Sequence, residues 1–180
     1  MPTAAVALHK ILNITDVLAL GRTLIEVADL YPTRYLTERD FFPLVVAYLS
    51  GRVPGIRTEV DSSGGRVDFQ LKGTNPTWLE LAVQPRTLGD VNYPTLAFPG
   101  HNAKTALYAG QNAPELRKLM MEPKGKTRFL LLVDLHGGYN LAKLENGYKA
   151  GAKKNKNGKS VRVVYVSRTA EKAFLASAKP

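Results

Sequence analysis

"GGRVDFQLKGTNPTWLELAVQPR", Gly64 to Arg86, reads as two short strands joined by a tight loop. Each strand carries an acid at its centre, Asp68 in "RVDFQL" and Glu80 in "TWLELAVQ". Side chains alternate along a strand. Val67, Phe69 and Leu71 are therefore expected on a core face, with Arg66, Asp68 and Gln70 on the other. In the second strand Leu79, Leu81 and Val83 take the core, leaving Trp78, Glu80, Ala82 and Gln84 opposite. A loop centred on Thr74 pairs Leu71 with Thr77, and so Asp68 with Glu80. Upstream, "IRTEVD" (56–61) is joined to "RVDFQL" by "SSGG", a hairpin turn signal. A two-residue turn there sets Asp61 against Arg66 and Glu59 against Asp68. Glu59, Asp68 and Glu80 would then form a row across three strands. Like charges directly opposite are destabilising. Such a row persists if water solvates it, if Arg57, Arg66 and Arg86 pair with it, or if a cation fills it. Mg²⁺ commonly takes one or two carboxylates together with waters and phosphate oxygens.

Outward from this meander, "TDVLALGRTLIEVADL" (15–30) has helical apolar spacing with Thr15 as N-cap. A second helix is expected within 37–49, starting near Asp40 because Pro43 fits only a first turn. The stretch 85–100, rich in Pro, Gly and Asn, reads as a loop. "HNAKTALYAG" and "APELRKLMM" read as short helices, the latter with Pro114 at its first turn. "RFLLLVDL" (128–135) is a nearly continuous apolar run, as in a central strand buried on both faces. "VRVVYVSR" (161–168) is a last strand, and "TAEKAFLASA" a terminal helix. Helix, three-stranded meander, helical crossover and two further strands argue for an α/β sandwich with a mixed sheet.

The 180 residues suit one domain with a sizeable core, and the absence of cysteine excludes disulfides, zinc-thiolate sites and cysteine nucleophiles. No apolar run approaches the ~18 residues of a membrane span. The start lacks the features of a secretory leader, so a cytoplasmic protein is expected. The net charge of +10 is unevenly placed. Residues 1–100 hold 9 Lys/Arg against 10 Asp/Glu, and residues 101–180 hold 16 against 5. No acid lies between Asn146 and Ala170, where Lys149, Lys153, Lys154, Lys156, Lys159, Arg162 and Arg168 fall. That is the electrostatic footprint of a phosphate-backbone binder, or of a solvated basic loop that aids solubility. Other signals are weaker. His9, His101 and His136 have no metal-ligand spacing, and "DLHGGYN" lacks the GK[ST] ending of a phosphate loop. Asp134 reads as a turn residue, and Trp78 and Tyr139 as packing aromatics rather than base-stacking platforms.

From Leu36 to Arg168 the chain resembles the PD-(D/E)xK nuclease superfamily, on Asp68, on "ELAVQ" at Glu80 and on the order of the elements. The resemblance implies a restriction endonuclease-like three-layer sandwich, a central mixed β-sheet flanked by helices. Residues 1–35 would be an N-terminal helical segment packed on a nuclease-like core of 36–180. It implies Asp68 and Glu80 as ligands of Mg²⁺ or Mn²⁺, with the Leu81 carbonyl a further ligand. Glu38, in "LTERD", would be the helix acid, and Glu38 or Glu59 would assist a second ion. The motif departs from the family at one place. The lysine of E-x-K is Ala82, which can neither orient a water nor supply charge. Gln84, two residues on and on the same face, could position a water, and Lys72 and Lys104 are candidates for a relocated lysine. The function implied is a metal-dependent endonuclease on DNA, of restriction or repair type, and family members often act as homodimers. Lys149, Lys153, Lys154, Lys156, Lys159 and Arg162 would hold the nucleic acid. The alternatives are a nuclease-fold DNA-binding module that has lost catalysis, and a basic structural protein that contacts RNA.

Overall fold

The computed structural model describes residues 12–53, 55–73, 76–86, 106–123, 125 and 127–179. Two helices come first, α1 (Ile14–Asp29) and α2 (Glu38–Ser50). The meander follows as β1 (Ile56–Ser62), β2 (Gly65–Leu71) and β3 (Thr77–Gln84). Then α3 (Ala113–Met121), β4 (Thr127–Asp134), α4 (Leu141–Lys153), β5 (Val161–Ser167) and β6 (Glu171–Ala176) complete the chain. The strands form one six-stranded sheet in sequence order. The meander is antiparallel, β3, β4 and β5 run parallel, and β6 returns antiparallel on β5. Parallel neighbours need crossovers, and α3 and α4 supply them.

The sheet has an apolar layer on each side. Val17, Leu20, Leu24, Phe41, Val45 and Leu49 of α1 and α2 pack on Phe69, Leu79, Leu81, Leu131 and Val164. Leu116, Leu119 and Met120 of α3 and Leu144, Tyr148 and Ala152 of α4 pack on Trp78, Ala82, Leu130, Leu132 and Val163. Every residue of β3 is buried in consequence. The strand face that bears the acids is therefore a second core, and the acids on it lie under α3. Close approach is built into α1, where a Cβ at Gly21 would stand 2.6 Å from Val166 Cγ2.

Four local expectations are corrected. The second helix begins at Glu38, not near Asp40, with Pro43 inside it. Asp40 anchors its first turn by accepting from the Thr37 N–H at 2.6 Å and hydroxyl at 2.7 Å. The terminal segment is a strand, not a helix. Its residues alternate, with Lys172, Phe174 and Ala176 more buried than Glu171, Ala173 and Leu175, and it covers the open edge of β5. Helix α4 has no counterpart in the sequence reading, although Asn140 caps it by accepting from the Lys143 N–H at 2.9 Å. Residues 106–110 of "HNAKTALYAG" form turns rather than a helix. Its remaining residues, the loop over 87–100, His9, His101 and Lys104 lie outside the described residues.

Candidate active site

The registers read from the sequence hold. Asp61 faces Arg66 and Leu71 faces Thr77. The β2–β3 ladder ends at Phe69 and Leu79, one step before Asp68 and Glu80. There the Asp68 carboxylate replaces the backbone as acceptor, taking the Leu81 N–H on Oδ2 at 2.8 Å. Asp68 and Glu80 lie close enough for each carboxyl to shift the other's pKa, and a hydrogen bond between two carboxyl groups requires a shared proton. Glu59 does not complete the row. Its φ of 48° breaks the regular run of β1, and its side chain is exposed. The arginines do not neutralise the pair either. Arg66 stands 3.5 Å from Asp61 and Arg86 2.6 Å from Asp29, while Arg57 is exposed.

The positive charge comes from α3. Lys118 Nζ lies 2.8 Å from Glu80 Oε1 and 3.5 Å from Glu115 Oε1. It also donates to the Arg66 carbonyl at 2.8 Å. The approach to Glu80 is ionic rather than an aligned hydrogen bond, so Oε1 of this 1% exposed side chain keeps an unused lone pair. The β1–β2 turn fixes Lys118 in place. A Cβ at Gly64 would come within 2.7 Å of Lys118 Cα, so only glycine lets the turn lie this close to α3. Gly65 follows with φ of 128°, a conformation that glycine adopts freely.

Glu38, the first residue of α2, joins the group from the chain's other helical layer. Burial, then the charges of Asp68 and Glu115, push its pKa up to about 8. Burial and Asp68 push Glu80 up to about 10. Asp68 is raised by burial, against the pull of its bonds to Glu80 and the Leu81 N–H and of the Lys118 charge. Burial pulls Lys118 down, but Glu80, Glu115 and Asp68 outweigh it and hold the ammonium above its usual range. Lys118 thus pairs with Glu80 and Glu115, and its charge is felt by Asp68 and Glu38. The cluster has more negative capacity than positive charge and makes up the difference with protons.

Gln84 does not join this group. Its Oε1 accepts from Tyr139 Oη at 2.6 Å and the Ala106 N–H at 3.1 Å. It sits four residues beyond Glu80, about 13 Å along the strand, as a structural tie. Asp134 is likewise structural. It caps the turn through the His136 and Gly137 N–H groups at 3.0 and 2.7 Å and accepts from Tyr165 Oη at 2.6 Å. Trp78 is buried in the α3–α4 layer. Lys72 is exposed after β2. The residues missed in the sequence are Lys118 and Glu115. Their spacing of three within an amphipathic helix places them together on one flank, and that was the available signal.

The basic residues expected to hold nucleic acid are exposed, and one of them is ion-paired. Lys149 pairs with Glu145 at 2.6 Å, and Lys172 holds the other oxygen of that carboxylate at 2.5 Å. Lys153 and Lys154 are exposed at the end of α4, Lys156 and Lys159 in the turn after it, and Arg162 on β5.

Among the described residues no three His, Asp or Glu side chains are grouped closely enough to hold a metal ion as they stand. The donor set of Asp68 and Glu80 nonetheless suits a hard cation. Both ligands are carboxylates, Glu80 Oε1 has a lone pair to offer, and Mg²⁺ needs no more than one or two carboxylates plus waters. No family model matches the sequence, and no curated protein matches it. No helix among the described residues is long and apolar enough to cross a membrane.

Proposed function

We propose that the chain is a metal-dependent endonuclease acting on DNA phosphodiester bonds in the cytoplasm, with a restriction endonuclease-like fold. The observation that carries this reading is Lys118 Nζ at 2.8 Å from Glu80 Oε1, delivered from α3. It supplies beside the acids the charge that Ala82 cannot. Asp68 and Glu80 would hold Mg²⁺ or Mn²⁺, with the Leu81 carbonyl as a further ligand. A divalent ion held there would supply a bound water of lowered pKa and stabilise charge on the scissile phosphate. Lys118 would orient an attacking water and balance charge as the phosphate becomes more negative. Glu38, with its pKa raised to about 8, is suited to exchange a proton with the solvent side of the site near neutral pH.

Isothermal titration with Mg²⁺ and Mn²⁺, on the wild type and Asp68→Ala, tests this alongside plasmid nicking in the same buffers. Metal binding and nicking are expected together in the wild type, with both lost in the variant. Salt-dependent DNA binding with neither metal affinity nor nicking would overturn the reading. It would leave a silent DNA-binding module, the alternative that Ala82 supports.

A further inference from the structure

Helices α3 and α4 lie side by side over the sheet, and a cavity of about 310 Å³ opens between them. Its floor includes Ala109, Leu116, Gly147 and Gly151, and its rim carries Arg117 and Lys154. Small residues on the floor leave the space of the groove open. A Cβ at Gly147 would meet Ala109 at 3.3 Å, and one at Gly151 would meet Leu116 at 3.4 Å. No acidic residue lines the groove. The nearest acids on the two helices are engaged elsewhere, Glu115 with Lys118 and Glu145 with Lys149 and Lys172. Arg117 and Lys154 are both exposed, and neither has an acidic partner among the described residues. Two cations that face each other across a groove without counter-charge raise its potential and attract an anion.

We infer that this groove seats the phosphodiester backbone of duplex DNA, and that Arg117 and Lys154 contact its phosphates. The inference rests on the nuclease reading for the identity of the polymer and deepens it. Arg117 and Lys118 are neighbours in α3, about 100° apart around its axis. One therefore points to the groove while the other points to the acids. The two sites are separated by one helix, ~10 Å across. A duplex strand carries a phosphate every ~3.4 Å of its axis, so the width of α3 corresponds to about three phosphates. The basic residues are thereby divided. Lys154 belongs to the DNA track, whereas Lys149 serves the Glu145 ion pair on the opposite flank of α4.

The test is fluorescence anisotropy with a labelled DNA duplex in EDTA, over a salt series from about 50 to 200 mM. Each phosphate contact contributes ~0.9 to the slope of log K against log salt. Arg117→Gln/Lys154→Gln is expected to lower the slope by about 2 and to weaken binding to all sequences alike. Lys149→Gln should leave the slope unchanged. Both sets of changes are on exposed side chains, and an unaltered melting temperature confirms the fold. An unchanged slope in the double variant, an equal loss in Lys149→Gln, or a wild type that binds no duplex would each overturn the inference. A slope change seen with an RNA duplex and absent with DNA would overturn the assignment to DNA. Nicking in Mg²⁺ separates this failure from that of the nuclease reading, because a wild type that cleaves while the double variant keeps an unchanged slope would overturn the groove alone.

Discussion

Lys118→Met keeps the alkyl stem and removes the charge. Two effects compete over its consequence for stability. At 2.8 Å the attraction between Nζ and an ionised Glu80 is about 6 kcal/mol at an effective dielectric of ~20. If that were lost outright the protein would be badly destabilised. A buried carboxyl has an exit, however, because it takes up a proton instead of remaining an unpaired charge. Glu80 is already pushed up to about 10, so it stays protonated near neutral pH when the lysine goes. The remaining loss is the hydrogen bond to the Arg66 carbonyl, roughly 1 kcal/mol. We expect urea denaturation to show a loss of about 1–2 kcal/mol. Nicking should fall by at least ~100-fold, the lower end of what removing one positioned electrostatic stabiliser costs. A merely structural lysine gives the opposite ratio, with a large loss of stability and nicking unchanged in the folded fraction. The companion variant is Lys118→Ala/Ala82→Lys. Position 82 lies on the Glu80 face, about 6.6 Å along β3, within reach of a lysine stem once the side chain from α3 is gone. It should recover at least ~10-fold of the lost activity, at ~1–3 kcal/mol of packing strain. Nicking by Lys118→Met within twofold of the wild type would refute the reasoning.

The acid cluster also sets a pH dependence. Glu38 and Glu80 have folded pKa values near 8 and 10, above their ordinary value. The folded state then binds more protons than the unfolded chain, and the stability this brings is complete below about pH 4.5 and lost as pH rises. Metal-free protein in EDTA should melt at progressively lower temperature from about pH 5 to 9. Asp29, Glu145 and Glu171, whose pKa values are lowered by their basic partners, change charge below that window. Glu38→Gln should flatten the part up to about pH 8, and a wild-type melting temperature that rises over this range would contradict the assignment. Gly64→Ala places a methyl 2.7 Å from Lys118 Cα. It should cost ~1–3 kcal/mol in urea denaturation and lower nicking further, by displacing Lys118 from Glu80; a neutral substitution would show that the turn does not hold the lysine.

The sheet was largely legible because its signals are local. Alternation and the "SSGG" turn fixed the registers of β1, β2 and β3, and the apolar run of β4 marked the sheet's centre. What failed depended on partners distant in sequence. "TAEKAFLASA" has helix-forming composition, yet β5 needed a neighbour on its open edge, and tertiary pairing outweighed propensity. Gly147 and Gly151 obscured α4, because glycine in a helix interior weakens the local helical signal. The acids were found but their environment was misjudged. Alternation distinguishes two faces of a strand without saying whether the second is wet, and α3 and α4 cover it here.

Lys118 illustrates the same limit within the site. A search along β3 finds Ala82 and stops, since nothing in the strand shows that charge arrives from elsewhere. Yet what the two carboxylates require is a positive group within a few ångströms, whatever element carries it. A lysine on β3 would be aligned by the strand alone. One on α3 depends on the helix docking in the correct place, and two features secure that. Gly64 admits the close approach of the turn, and Nζ binds the Arg66 carbonyl on the strand that bears Asp68. The lysine is thus tied to β2 and β3 together, and the separation of Asp68 from Glu80 is coupled to the seating of α3. Since the inferred DNA groove lies on the other flank of that helix, backbone binding there would bear on the same element that holds the cation at the acids.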